Sequence, residues 1–76
     1  MAYPTCKIKN ISGNELTLHG KVFSIGEIYV LPDQDRVDWA TEDTVITAIT
    51  SDNIQVGDSD TWFESYAAQI AHLQTY

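Results

Sequence analysis

The sequence has little of what small proteins use to hold themselves together. Its one cysteine, Cys6, allows no disulfide within the chain, and with two histidines it cannot complete a Cys/His zinc quartet. No apolar run approaches the roughly 20 residues that a membrane span needs. No charged-then-apolar leader opens the chain, so synthesis without a secretion signal is expected. Bases are scarce: 4 against 11 acids. With 76 residues, positions 1–76 are read as a single domain. A chain of that size hides only about 60% of its extended surface on folding, and its core supplies roughly 3–5 kcal/mol unaided. These absences point to a small binding or structural module.

The charge is unevenly placed. All four bases (Lys7, Lys9, Lys21, Arg36) fall in residues 1–36, where Glu15, Glu27, Asp33 and Asp35 balance them. Residues 37–76 hold Asp38, Glu42, Asp43, Asp52, Asp58, Asp60 and Glu64 without a Lys or Arg, and so carry the whole net charge of −7. A back half without a base repels phosphate, so nucleic acid is not an expected partner. As structure, this half reads as a solvated acidic surface that aids solubility. As function, it reads as a face for a basic partner.

The front half alternates with the period of half-buried strands. Thr5–Ile11 sets Cys6 and Ile8 on one face and Lys7 and Lys9 on the other. Ser12-Gly13-Asn14 is turn chemistry. Glu15–His19 places Leu16 and Leu18 inward, and His19-Gly20 breaks the run. Lys21–Ile25 is a third short strand, and Gly26 allows a bend. Glu27–Leu31 is a fourth, with Ile28 and Val30 on one face and Tyr29 and Leu31 on the other. Pro32 cannot donate to a ladder and ends it.

The back half reads as short helices around one more strand. Asp33–Ala40 is a loop or a single helical turn. Thr41 or Asp43 can cap a helix over Glu42–Thr50, where Val45, Ile46 and Ile49 supply apolar positions. The threonines of this stretch weaken helix propensity, so a strand over Thr44–Thr50 competes with it. Ile54-Gln55-Val56 is a short strand ended by Gly57-Asp58-Ser59. Thr61-Trp62-Phe63-Glu64 has the T-x-x-E form of a capping box, with Asp58 and Asp60 just before it. Phe63, Tyr66, Ala67, Ile70 and Leu73 then form one apolar stripe, with Gln69, His72 and Gln74 on other faces. The expected fold is α+β: a small antiparallel β-meander or sandwich of four to five short strands. One or two short helices accompany it, and the C-terminal helix packs on the sheet through Phe63, Tyr66, Ile70 and Leu73. The sheet face expected to receive it carries Ile8, Leu16, Leu18, Ile28 and Val30.

Candidate sites are few. Asp33-x-Asp35-x-x-Asp38 fails the calcium-loop pattern, because Val37 and Asp38 stand where an oxygen ligand and a glycine are required. Asp58-x-Asp60 reads as a helix-start signal. Cys6 alternates with Ile8 on an apolar face, which suits an inert thiol. His19 abuts a turn and His72 lies on the polar side of a helix; spacing ties neither to Cys6 or to a carboxylate. No nucleophile motif, phosphate-cradling loop or zinc helix is present. No enzyme activity, catalytic residue, cofactor or metal is therefore expected. The residues left for contact are aromatic. Tyr3 and Tyr76 lie near the ends, and Trp62 diverges by about 100° from Phe63 around a helix. Tyr3, Trp62 and Tyr76 are the expected interface.

The order K-I-K-N-I-S-G-N-E-L-T-L-H-G (Lys7–Gly20), G-E-I-Y-V-L-P (Gly26–Pro32), R-V-D-W-A (Arg36–Ala40), V-I-T-A-I (Val45–Ile49) and I-Q-V-G-D (Ile54–Asp58) resembles small proteins of tailed bacteriophages. These are encoded among virion genes, and similar short domains accompany head, neck and tail-fibre components. The family pattern is a V-K-N-x-S/T-G strand, a hairpin, a W-A turn, a short helix and a G-x-x-x-V-x-D-G end. The resemblance spans residues 7–58 and departs at Gly57-Asp58-Ser59, where the pattern has Asp-Gly. It implies a non-enzymatic structural or accessory subunit of a virion, as head decoration, neck or tail-fibre attachment. Its expected partners are other virion proteins in a multi-copy assembly, with no nucleic acid and no membrane. Its expected place is the virion, after synthesis in the host cytoplasm. A second reading is a small acidic phage-encoded inhibitor of a basic or nucleic-acid-binding host protein.

Overall fold

The computed structural model describes residues 3–76. Five strands form: β1 (Lys7–Asn10), β2 (Leu16–Leu18), β3 (Lys21–Phe23), β4 (Ile28–Val30) and β5 (Ile54–Gly57). A 3-10 turn over Asp33–Asp35 leads into α1 (Arg36–Ala40), followed by α2 (Asp43–Thr50) and, after β5, by α3 (Tyr66–Leu73). The fold is α+β, with all strand pairs antiparallel and α3 packed against β5.

Consecutive pairing is confined to β2 and β3. Their two-residue connection has positive φ at both His19 (47°) and Gly20 (79°), the geometry that suits the right-handed twist of a tight hairpin. The larger sheet runs β4-β1-β5. Its centre is β1, whose Lys7, Ile8 and Lys9 each pair with β4 on one side and β5 on the other. Ile8, Ile54 and Val56 are buried on the inner side, beneath the helices. The other side carries two cross-strand rows, Val30–Lys7–Gly57 and Ile28–Lys9–Gln55.

That pairing inverts the expected role of β4. Ile28 and Val30 are 51% and 59% exposed on the outer face, whereas Leu31 is buried and Tyr29 half-buried on the inner one. The register decides this: Lys7 opposes Val30 and Lys9 opposes Ile28, and opposed residues share a face. The lysines must reach water, so the two aliphatic residues stay with them.

Residues 43–50 are helical. α2 follows Glu42 as its N-cap and buries Val45, Ala48 and Ile49. Tertiary burial of this stripe outweighs the low propensity of threonine. Its C-terminus closes with Asp52 at φ 58° and two bonds, Asn53 N–H to Ala48 carbonyl at 2.9 Å and Asp52 N–H to Ile49 carbonyl at 3.2 Å. This is the double bond pattern of a Schellman end, with aspartate in the place glycine usually takes.

The C-terminal helix is shorter than its sequence pattern suggests. Ser65 caps it, its hydroxyl accepting from Ala68 N–H at 3.1 Å. The Thr61–Glu64 capping box does not form. Instead Phe63 N–H donates to the Val56 carbonyl, Asp58 N–H donates to the Thr61 carbonyl, and Trp62 bridges to Gly57. The outer edge of β5 needs hydrogen-bond partners, and residues 61–63 supply them before the helix starts. The stripe shifts accordingly. Leu73 and Gln69 are buried and Ile70 packs beside them, while Tyr66 and Ala67 are exposed and Phe63 is only half-buried.

Candidate functional site

The polar side chains most sheltered from water all serve the fold. Arg36 is fully buried, and its guanidinium donates to the carbonyls of Leu73 (2.9 Å), Pro4 (2.7 Å) and His72 (3.0 Å). Two of these lie at the negative end of α3, where a cation is favoured. Asn10 donates to the Asn14, Phe23 and Ser24 carbonyls and accepts from the Ser12 N–H and hydroxyl. Gln69 accepts from Val56 N–H at 3.0 Å and so completes the β5 edge. Among the described residues no buried side-chain donor or acceptor lacks a partner.

The titratable residues weighed in the sequence fall apart in space. Cys6 is buried, and desolvation pushes its thiol up to about 11 against a smaller opposing pull from Arg36. A thiol held protonated is a poor nucleophile. His72 lies on the ring of Phe63 at 5.0 Å, and its Nε2 meets the Thr5 carbonyl at 2.7 Å. His19 Nδ1 lies 3.1 Å from Glu42 Oε2, and the Thr44 hydroxyl donates to the same oxygen at 3.0 Å. These two contacts, His19 contributing more than Thr44, hold the Glu42 carboxyl below its ordinary value. In a nucleophilic triad the imidazole stands between hydroxyl and carboxylate. Here the carboxylate stands between the other two, so the arrangement ties the β2–β3 hairpin to the start of α2 without activating the hydroxyl. Asp58 accepts from the N–H groups of Asp60 and Thr61, which lowers its carboxyl. Among the described residues no three His, Cys, Asp or Glu side chains are gathered to hold a metal ion.

The outer face of the larger sheet is open along β4 and covered toward β5. Trp62 lies over it, with the Lys7 ammonium 4.8 Å and the Lys9 ammonium 6.0 Å from its ring centre. Gly57 makes this possible, because a Cβ there would stand 2.7 Å from the indole and 2.5 Å from the Thr61 carbonyl oxygen. Of the other bases, Arg36 is buried and Lys21 pairs with Glu27 at 2.8 Å. Lys7 and Lys9 are thus the two lysines without a salt-bridge partner among the described residues. Beside them stand Ile28 and Val30, exposed on β4.

The two edges of this sheet differ. The β5 edge is covered by residues 61–63 and Gln69. On β4, Leu31 N–H bonds to Cys6 and Asn10 N–H bonds to Glu27. With the register Ile8–Tyr29, this alternation turns the N–H and carbonyl groups of Ile28 and Val30 away from β1. No described residue pairs with them.

The three aromatic residues expected at an interface do not form one patch. Tyr3 and Tyr76 meet at the chain ends, ring centres 6.3 Å apart. Trp62 belongs to the outer sheet face. Ile28 and Val30, which the sequence pattern placed in the core, are exposed on this same face. The Lys-x-Lys alternation of β1 could have found them only with the β1–β4 register in hand.

No protein-family model matches this chain, and no curated protein and no solved structure matches it either.

Proposed function

We propose that this chain is a non-enzymatic accessory subunit that joins a larger assembly through protein–protein contacts. The observation that carries this reading is the combination on β4 of an unpaired strand edge and two exposed aliphatic side chains. An open edge is a template on which another chain pairs, and apolar residues beside it favour burial. The assembly we assign is the virion of a tailed bacteriophage, on the strength of the sequence resemblance over residues 7–58. Head decoration, neck and tail-fibre attachment are the positions that resemblance suggests. A small core adds to the reading, since a subunit held by neighbours gains stability from binding.

Mass spectrometry of particles purified from cells that carry this gene tests the proposal. The peptide should be present in fixed proportion to the other virion proteins. Its absence from mature particles would remove the structural role. Attachment through strand pairing and apolar contact should weaken little with added salt, whereas binding that collapses with salt would favour the acidic inhibitor.

A further inference from the structure

We infer that the open edge of β4 receives an extended segment of a partner protein as an added strand, and that this segment carries glutamates on the side it shares with Lys7 and Lys9. The inference rests on the accessory-subunit reading and names the chemistry of its contact.

The geometry follows from the register. Ile28 and Val30 turn their backbone groups outward, so an added antiparallel strand would form its close hydrogen-bonded pairs with these two residues. Residues opposed in a ladder share a face, so two partner residues, two positions apart, would stand on the outer face beside Ile28 and Val30. That face also holds Lys7 and Lys9, one strand further in. Strands lie about 4.8 Å apart, so the partner's residues sit roughly 10 Å from the lysine backbone. A glutamate spans this gap together with a lysine stem. Its methylenes cover Ile28 or Val30, and its carboxylate meets the ammonium once the lysine turns from the Trp62 ring toward β4. The residue between the two glutamates faces Tyr29 on the inner side and is best apolar.

Charge decides between occupants. The chain is strongly acidic at −7, yet its two lysines without a salt-bridge partner stand on β1, the strand next to its open edge. Asp58, the acid at the end of β5, is already held by two N–H groups. A second copy pairing β4 to β4 would leave all four lysines of the joint sheet without carboxylates. An acidic, alternating segment satisfies edge, aliphatic face and lysines together.

The test uses the full chain, labelled with nitrogen-15, and blocked hexapeptides of alternating glutamate and valine or of alternating lysine and valine. The glutamate peptide should shift the Ile28 and Val30 amide signals and slow their hydrogen exchange. The lysine peptide should bind about tenfold more weakly, as expected for two exposed charge pairs. In the Lys7→Glu/Lys9→Glu variant the preference should reverse. Equal binding of both peptides to the unaltered chain, or shifts confined to other residues, would overturn the inference, whether or not the variant folds. Protection of Ile28 and Val30 that grows with protein concentration alone would overturn it in favour of a second copy. Full attachment of the folded variant to particles would also overturn it while leaving the accessory role intact. Absence of the chain from particles, with the peptide preference present, would overturn the virion role and not the strand pairing.

Discussion

The Arg36 guanidinium meets the Leu73 carbonyl at 2.9 Å inside the core, across 37 positions of sequence. This bond, with those to His72 and Pro4, joins the first turn of α1 to the last turn of α3 and to the segment leading into β1. No carboxylate shares the site among the described residues. The charge is compensated by three carbonyl dipoles, two of them at a helix C-terminus.

Arg36→Met should therefore leave three carbonyls without their donor and cost about 3 kcal/mol or more. That is most of the stability of so small a core. Arg36→Lys keeps the charge but not the planar fork, and should recover only part of the loss. Urea unfolding of the three proteins measures this. A midpoint unchanged in Arg36→Met would remove the residue from the core framework.

The helix stripe gives a second expectation. Leu73 is fully buried, so Leu73→Ala should cost about 2–5 kcal/mol. Phe63 precedes the helix and is half-buried against His72, so Phe63→Ala should cost about 1–2 kcal/mol. Thermal melts of the two variants decide the order. A larger loss for Phe63→Ala would restore it to the core.

Gly57 sets the position of Trp62. Gly57→Ala would drive a methyl group into the indole and the Thr61 carbonyl. The expected cost is about 1–3 kcal/mol, and Trp62 should lift from the sheet, away from Lys7. Tryptophan emission should move to the red, and acrylamide should quench it more readily. Emission identical to that of the unaltered protein would show that Trp62 is not held by this contact.

Cys6 gives the fold an alkaline limit. Its thiol is raised from 9.0 to about 11 by burial, so the unfolded chain loses this proton first. The stability that depends on it is complete below pH 9 and falls as pH rises toward 11. By pH 10 the loss should be about 1.4 kcal/mol. Cys6→Ala lacks this contribution, so its unfolding midpoint should fall less between pH 7 and pH 10. Equal falls in the two proteins would place the alkaline sensitivity elsewhere.

Much of the fold follows from local sequence. The Cys6–Asn10 alternation, the His19-Gly20 break and the stop at Pro32 mark strands and turns, because side-chain period and backbone sterics act within a few residues. Each strand's two faces are legible in the same way. The sequence alone could not say which face of β4 turns inward, because alternation has no sign until a neighbour supplies one. Pairing with β1 supplied it, and moved Ile28 and Val30 from the expected core to the surface beside Lys7 and Lys9. The start of α3 was likewise open: Thr61–Glu64 carries a good cap, yet the unpaired edge of β5 claims those residues. Arg36, Asn10 and Gln69 look like surface residues in the sequence, since charged and amide side chains usually are. Only the tertiary structure brings distant carbonyls and amides to them, and hydrogen bonds formed across such separations leave no local signal to read.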